Sequence, residues 1–193
     1  PSMLNIFMQV IEGRYENILK LSSLKYVISA GEQLNQIVVN KFYEIAKQYG
    51  LSAKLLNCYG PTESAVYATH CLCSEKDDKV MIGKPIGNYQ IYIMNGDKLC
   101  GFGIPGELCI AGEGVARGYL NHDELTKEKF VKDPYSTGRM YRSGDLARWL
   151  SDGKIEYLGR LDEQIKIRGF RIELGEIESV IRQIEEIKDV AVV

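Results

Sequence analysis

No stretch of this sequence stays apolar for anything near the roughly 18 residues that a membrane-crossing helix requires. Neither sign of charge prevails: 24 Lys and Arg stand against 26 Asp and Glu, for a formal net charge of −2. A basic footprint for nucleic acid or anionic lipid is therefore not expected. With only two histidines, a hydrolase triad has few ways to form. Five cysteines, an odd number at irregular spacing, argue against a secreted disulfide framework. The opening PSMLNIFMQVIEG lacks the basic stretch and long apolar core of a signal peptide. Internal repeats and low-complexity tracts are absent too. What is left is 193 residues, 45% apolar, enough for one ordinary domain or pieces of two. The expectation is a reduced, cytoplasmic, soluble protein with no membrane or nucleic-acid partner.

The chain starts at Pro1 and ends on Asp189-Val190-Ala191-Val192-Val193, which reads as a β-strand without a partner, so both ends read as cut. Residues 24–31, LKYVISAG, form a β-branched run closed by Gly31. After it Leu34, Ile37, Val38, Phe42, Ile45, Ala46 and Tyr49 recur at helical spacing up to Gly50, and KLLNCYG (54–60) reads as a strand. Strand, helix and strand with short links predict a βαβ unit and a parallel pair. Ligands of open α/β sheets sit beyond the carboxyl ends of the strands, here the loops at Gly31 and Tyr59. From about residue 80 short strands and glycine turns take over, with hairpin signals at Asn95-Gly96 and Asp152-Gly153. Near 160 the texture changes again, to charged IKIRGFRIE and then a helix striped by Ile177, Val180, Ile181, Ile184 and Ile187. The fold class is mixed α/β. A βαβ parallel-sheet portion (about 1–79) precedes a β-rich, barrel-like region (about 80–161), and a small α+β subdomain begins at 162–193.

GFGIPG (101–106) matches a dinucleotide-loop pattern but lacks the helix that such a loop must open, because it contains Pro105 and ELCIAG follows; it reads as a turn. His70, Cys71 and Cys73 are too few ligands for a tetrahedral metal site and fit small and apolar residues alternating on a strand. NCYGPTES (57–64) keeps two readings open. Glu63 could hold Mg²⁺, Thr62 could reach a phosphate and Tyr59 offers a stacking face; or the stretch is an ordinary hairpin turn. In YRSGDL, Asp145 follows a small, flexible Ser-Gly pair and is either a ribose acceptor or a turn aspartate. GRLDEQIKIRGFRIELGEIE (159–178) spaces Arg160, Lys166, Arg168 and Arg171 among apolar residues, as a solvated strand face or as a mobile cationic loop near phosphates.

Taken in order, LKYVISAGEQL, NCYGPTES, IGKPIGN, GELCIAGEGVARGYL, YRSGDLARWLSDGKIEYLGR and LDEQIKIRGFRIELGEIE resemble the adenylation domains of nonribosomal peptide synthetases, within the adenylate-forming ligase superfamily. The resemblance covers nearly the whole chain. It implies an amino-acid-activating ligase: an amino acid carboxylate attacks the α-phosphate of Mg·ATP, and the aminoacyl-AMP passes its acyl group to the phosphopantetheine thiol of a carrier domain. ATP and Mg²⁺ are then the cofactors, and carrier and other synthetase domains the partners. Carried over by position, Tyr59 stacks on adenine, Asn57 reads its amino edge, and Gly31 and Glu32 cover the other face. Thr62 contacts phosphate, Glu63 binds Mg²⁺, Asp145 holds the ribose hydroxyls, and Tyr157 and Arg160 line the ribose side. Asp162 matches the hinge, and Lys166 to Gly169 the loop that swings in for thioester formation. Catalytic roles thus fall to Thr62, Glu63 and Lys166. The resemblance puts Ile28, Ala30, Cys58, Val66 and Tyr67 in the selectivity pocket, with Cys58 also beside the nucleotide. None of the five carries charge, which points to a neutral, apolar amino acid.

Three parts of that pattern are not in these residues: the phosphate loop with its lysine, the aspartate that pairs with the substrate ammonium, and the C-terminal lysine. Losing one transition-state cation commonly costs on the order of a hundredfold or more, so the isolated stretch is expected to be a weak nucleotide binder. Two other readings compete. One is an acyl-CoA or D-alanine–carrier ligase of the same superfamily; the other is a remnant that only binds a nucleotide or partner.

Overall fold

Tyr26, Val27, Ile28 and Ser29 form strand β1 (Tyr26–Ser29), with Val27 and Ser29 facing inward. A computed structural model describes residues 1–12, 21–162, 164–167 and 170–192, and the chain is taken over those residues. Helix α1 (Ser2–Ile11) comes first and buries Leu4, Met8 and Ile11, one face at i, i+4 and i+7. Helix α2 (Gln36–Gln48) opens at Asn35, whose side chain accepts a 3.0 Å hydrogen bond from the Val38 amide. Strand β2 (Lys54–Tyr59) pairs parallel with β1, from Tyr26 opposite Lys54 to Ser29 opposite Asn57, which completes the expected βαβ unit. Ile37 is a correction. The helical period places it in the apolar stripe of α2, yet it is 79% exposed, because Val38, Val39, Phe42, Ile45 and Ala46 define the inward arc and 37 falls outside it. Leu34 precedes the helix and is buried.

A 3₁₀ turn (Thr62–Ser64) links β2 to β3 (Thr69–Leu72), and β4 (Lys84–Pro85) closes a four-stranded sheet in the order β1-β2-β3-β4. On β3 His70 is exposed while Cys71 points inward, and Cys73 just past the strand is buried too, the alternation expected of extended backbone.

The second sheet is antiparallel and curled, in the order β10-β9-β7-β5-β6 with β8 on the far side of β9. Its strands are β5 (Tyr89–Asn95), β6 (Lys98–Leu99), β7 (Gly106–Gly112), β8 (Phe130–Lys132), β9 (Arg139–Trp149) and β10 (Ile155–Arg160). Helix α3 (Asp123–Lys129) precedes β8, with Asp123 and Glu124 in its first turn and Lys127 and Lys129 in its last, as the helix dipole favours. Both hairpin signals sit at hairpins: Asn95 pairs with Lys98, and residues 150–154 link β9 to β10. GFGIPG is a turn leading into β7.

Three buried clusters form the core, one of them made by Met94, Cys109, Ala111 and Met140 of the second sheet. Met8 of α1 and Val39 and Phe42 of α2 cover Leu55 of the first sheet. Ala68 and Ile82 join Ile93, Leu108, Ile110 and Ile155 of the second sheet. The sheets are tied directly where the Ile155 amide donates to the Gly83 carbonyl at 2.8 Å and Ile82 N donates to Ile155 O at 3.0 Å.

Past Asp162 come β11 (Ile165–Ile167), β12 (Phe170–Ile172) and α4 (Leu174–Ile181). Arg168 and Gly169 of the expected loop lie outside the described residues. Two expectations need correction here. The helix ends at Ile181, so Ile184 and Ile187 fall beyond it, and Ile177, Val180 and Ile184 stay exposed. Residues 189–192 form no strand. The Val190 carbonyl accepts from Arg182, and the Val192 amide donates to Glu178 at 3.1 Å, so local polar partners replace a ladder.

Candidate functional site

Gly31 leaves β1 with φ +85, a conformation that favours glycine, and starts the loop to α2. At the neighbouring strand end, Gly60 has no room for a side chain: a Cβ would lie 2.3 Å from Tyr67 Cα. These two strand ends open on a cavity of about 550 Å³ lined by Gly31, Glu32, Asn57, Cys58, Tyr59 and Gly60 from the first sheet, and by Asp145, Tyr157 and Arg160 from the second. Eight of the nine residues expected at a nucleotide are therefore brought together. Thr62, the ninth, is exposed on the 3₁₀ turn and stands apart from the lining, as does Glu63.

Asp145 lies in the middle of β9, which overturns the turn-aspartate reading. Leu146 faces Glu107 and Arg142 faces Cys109, so Ser143, Gly144 and Asp145 bulge opposite a single residue. Such a bulge re-aims a side chain without ending the strand. Ser143 Oγ fastens it, donating to Leu108 O at 2.6 Å and accepting from the Asp145 amide at 3.0 Å. A second irregularity, between Tyr157 and Gly159, sets Arg160 directly opposite Asp145.

The carboxylate of Asp145 is buried and shared. Tyr59 donates its hydroxyl to Oδ2, and Arg160 Nη1 donates to Oδ1 at 3.0 Å. Arg160 also reaches forward, Nε to Asp162 Oδ1 at 2.8 Å and Nη2 to Oδ2 at 2.6 Å, a two-point grip on a carboxylate. Gly144 makes this possible: a Cβ there would lie 2.9 Å from Arg160 Nη2 and 3.0 Å from Asp162 Oδ2. Burial pulls the guanidinium pKa down, but the bonds to Asp162 and the Asp145 charge outweigh it and raise it. Burial lifts the Asp162 pKa, and Arg160 more than reverses that, holding it below the usual value. Burial, then the Asp145 charge, push the Tyr59 phenol up, and the same pair takes Tyr157 to about 12. Both phenols therefore remain donors at neutral pH. Their rings lie 6.2 Å apart and tilted by 39°, two aromatic faces beside a carboxylate and a guanidinium.

Asn57 donates its side-chain amide to Met81 O at 2.9 Å, and Glu32 accepts from the Ser2 amide and hydroxyl. Of the expected selectivity residues only Cys58 lines the cavity. Ile28 (59%) and Val66 (72%) are exposed, as is Ala30, and Tyr67 is half-buried. The backbone of Lys166 lies in β11; its side chain, with those of Ile167 and Arg171, is outside the described residues. Glu63 is buried, and Tyr119 donates to its Oε1 at 2.7 Å. That pairing spans 56 positions and is not foreseeable from the chain; the only local signal is a tyrosine following Gly118.

Comparison with known proteins bears on this geometry. The family model described as "AMP-binding enzyme" matches residues 1–120, more than half of the chain. The chain belongs to the AMP-binding enzyme family. This family member is 49% identical to a mycosubtilin synthase of Bacillus subtilis over 98% of its own length and 7% of the relative's. It is 52% identical to bacitracin synthase 3 of Bacillus licheniformis over 89% of its length and 3% of the relative's. Among solved structures, PA1221, an NRPS protein containing adenylation and PCP domains, superposes with a TM-score of 0.82 at 27% identity, over 97% of this chain and 33% of that one. The chain thus spans 3–7% of those two curated relatives and about a third of that solved chain. No helix among the described residues is long and apolar enough to cross a membrane.

Proposed function

We propose that this chain is part of an amino-acid-activating adenylation domain, which forms aminoacyl-AMP from an amino acid and Mg·ATP and transfers the acyl group to a carrier-protein phosphopantetheine thiol. The observation that carries the reading is the cavity in which Tyr59 and Tyr157 stand beside Asp145 and Arg160. A nucleoside needs an aromatic face for its base and a carboxylate for its vicinal hydroxyls, and these four residues supply both. The two synthetase relatives, near 50% identity, support the same reading.

In the first half-reaction a carboxylate oxygen bonds to the α-phosphorus and the bond to pyrophosphate breaks. In the second, a thiolate sulfur bonds to the acyl carbon and AMP leaves. The residues here bind and orient: Asp145 accepts from the ribose, Asn57 faces the base, and Thr62 serves a phosphate. Asp145 keeps acceptor sites for ribose hydroxyls beside its bonds to Tyr59 and Arg160, and Arg160 also grips Asp162. Asp162 is then the hinge and Lys166 belongs to the segment that exchanges during thioester formation.

No group of three or more His, Cys, Asp or Glu among the described residues could hold a metal unaided. The hard carboxylate oxygens of Glu63 suit a Mg²⁺, and Glu63 would hold it. Bound there, the cation neutralises phosphate charge. Ile28, Ala30, Cys58, Val66 and Tyr67 carry no charge, which supports a neutral, apolar amino acid. Five free cysteines agree with a cytoplasmic setting.

The test is amino-acid-dependent exchange of pyrophosphate into ATP by the full polypeptide that carries this sequence, followed by transfer to holo-carrier protein or to coenzyme A. Exchange with apolar amino acids and transfer to the carrier are expected. Absence of exchange with every amino acid, or transfer to coenzyme A alone, would overturn the assignment.

A further inference from the structure

We infer that Tyr119 is a positioning residue for Glu63, fixing the carboxylate that serves the divalent cation; this rests on the adenylation reading above. Glu63 sits on a turn that the first sheet alone does not hold. Ala65 (φ +51) and Val66 (φ +80), neither a glycine, take left-handed backbone conformations, and such strain persists only where surroundings enforce it. The enforcement comes from the second sheet and the segment after β7. Tyr89 on β5 donates its hydroxyl to the Ser64 carbonyl at 2.6 Å, and the Ala116 amide donates to the Glu63 carbonyl at 2.8 Å.

Those two bonds hold backbone. Tyr119 addresses the Glu63 side chain itself, its hydroxyl donating to Oε1 at 2.7 Å. The tyrosine is in turn held from several sides. Gly118 has φ +144, and a Cβ would lie 2.4 Å from Thr126 Cγ2. The Tyr119 amide donates to Thr126 Oγ1 at 2.9 Å. The ring packs edge-on against Phe130 at 5.3 Å, and its oxygen lies 3.4 Å from the Tyr141 hydroxyl. A phenol aimed at one carboxylate oxygen, on a scaffold that fixes the ring, sets the direction in which the carboxylate presents itself. Partners of this kind behind a metal ligand typically alter metal affinity about 10–100-fold.

Calorimetric titration of the full polypeptide with a non-hydrolysable ATP analogue, with and without Mn²⁺, reads the effect. Tyr119→Phe keeps the ring and removes the donor. The gain in nucleotide affinity on adding Mn²⁺ should shrink about 10–100-fold, with metal-free affinity and melting temperature close to wild type. In exchange assays the apparent Mg²⁺ requirement should rise, and kcat should recover at saturating Mg²⁺. Tyr141→Phe, which removes the 3.4 Å contact, should show the same change more weakly. An undiminished Mn²⁺ gain in Tyr119→Phe overturns the proposal, and so does an equal loss of affinity with and without metal, which marks a structural role. Glu63→Gln separates the layers: if it too keeps the full gain, the placement of the cation at Glu63 is what fails.

Discussion

Strands β10 and β11 come from one charge-dense stretch, IEYLGR and IKI, and each is half of an antiparallel pair. Their surroundings differ. In β10, Ile155 and Glu156 are buried, the strand ties the two sheets at Gly83, and Arg160 closes the cavity through Asp145. In the β11–β12 pair, Ile165 (40%) and Phe170 (74%) face solvent, and the pair stands as a two-stranded sheet. An isolated hairpin is marginal in water, whereas one that joins a six-stranded sheet inherits its core. Alternation of apolar and charged residues makes a strand in either place; what it packs against decides whether the strand can hold chemistry. Arg160 and Asp162 mark the changeover, two residues apart and joined by two hydrogen bonds.

The largest expected effect lies where the sheets meet. Gly83 has φ +81, and a Cβ would fall 1.9 Å from the His70 carbonyl oxygen, where backbone would have to yield. Gly83→Ala should cost on the order of 3 kcal/mol or more in urea unfolding, from backbone strain plus a broken tie to β10. A cost below about 1 kcal/mol would mean that β10 does not depend on this junction. Next comes Asp145→Asn, which takes the charge away from a buried, hydrogen-bonded pair. Nucleotide affinity should drop about 30-fold or more, the usual range for losing one partner of such a pair. Retention of wild-type affinity would detach Asp145 from the site.

Glu156 tests β10 through pH. It is buried and accepts from Lys79 at 3.0 Å and Arg148 at 2.7 Å. Burial raises its pKa, but the two cations win and hold it below its ordinary 4.5. A carboxyl depressed on folding gives stability that is complete above its unfolded value and disappears as pH falls through the folded one. Glu156→Gln should therefore cost about 1–2 kcal/mol near neutrality, discounted because Lys79 is mostly exposed. The gap between variant and wild type should hold down to about pH 5 and close below 4.5. A gap undiminished at about pH 3.5 would show that shape, not charge, matters at this position.

Legibility followed the same division. The βαβ unit could be read because its period and its stops at Gly31 and Gly50 all fall in one unbroken stretch from Tyr26 to Tyr59. Helix α1 is less legible, although Leu4, Met8 and Ile11 carry a helical period. The family resemblance named eight residues that line one cavity, but nothing local says that Arg160 opposes Asp145; two strand irregularities decide that. The Tyr119–Glu63 bond joins residues 56 positions apart and is a product of packing alone. The expected terminal strand is absent over 189–192 for the complementary reason: β-branched residues allow a strand, and a strand still requires a neighbour.

The smallest effect sharpens the contrast most. Gly175, near the start of α4, has open space where a Cβ would stand, and its φ is not in the left-handed region. Alanine favours a helix over glycine by about 0.5–1 kcal/mol, so Gly175→Ala should slow amide exchange in α4 by that margin. If the segment after Asp162 opens on its own, as its exposed Ile177 and Val180 lead one to expect, the gain stays local and the main unfolding midpoint does not move. A shift of that midpoint by the full amount would show that α4 and the two sheets unfold together. The same chemical change, a single methyl, would then separate two regimes: at Gly83 it meets backbone that anchors the site, at Gly175 it meets only solvent. Chemistry that needs fixed distances belongs with the first; on the function proposed above, a segment that changes its contacts between two half-reactions belongs with the second.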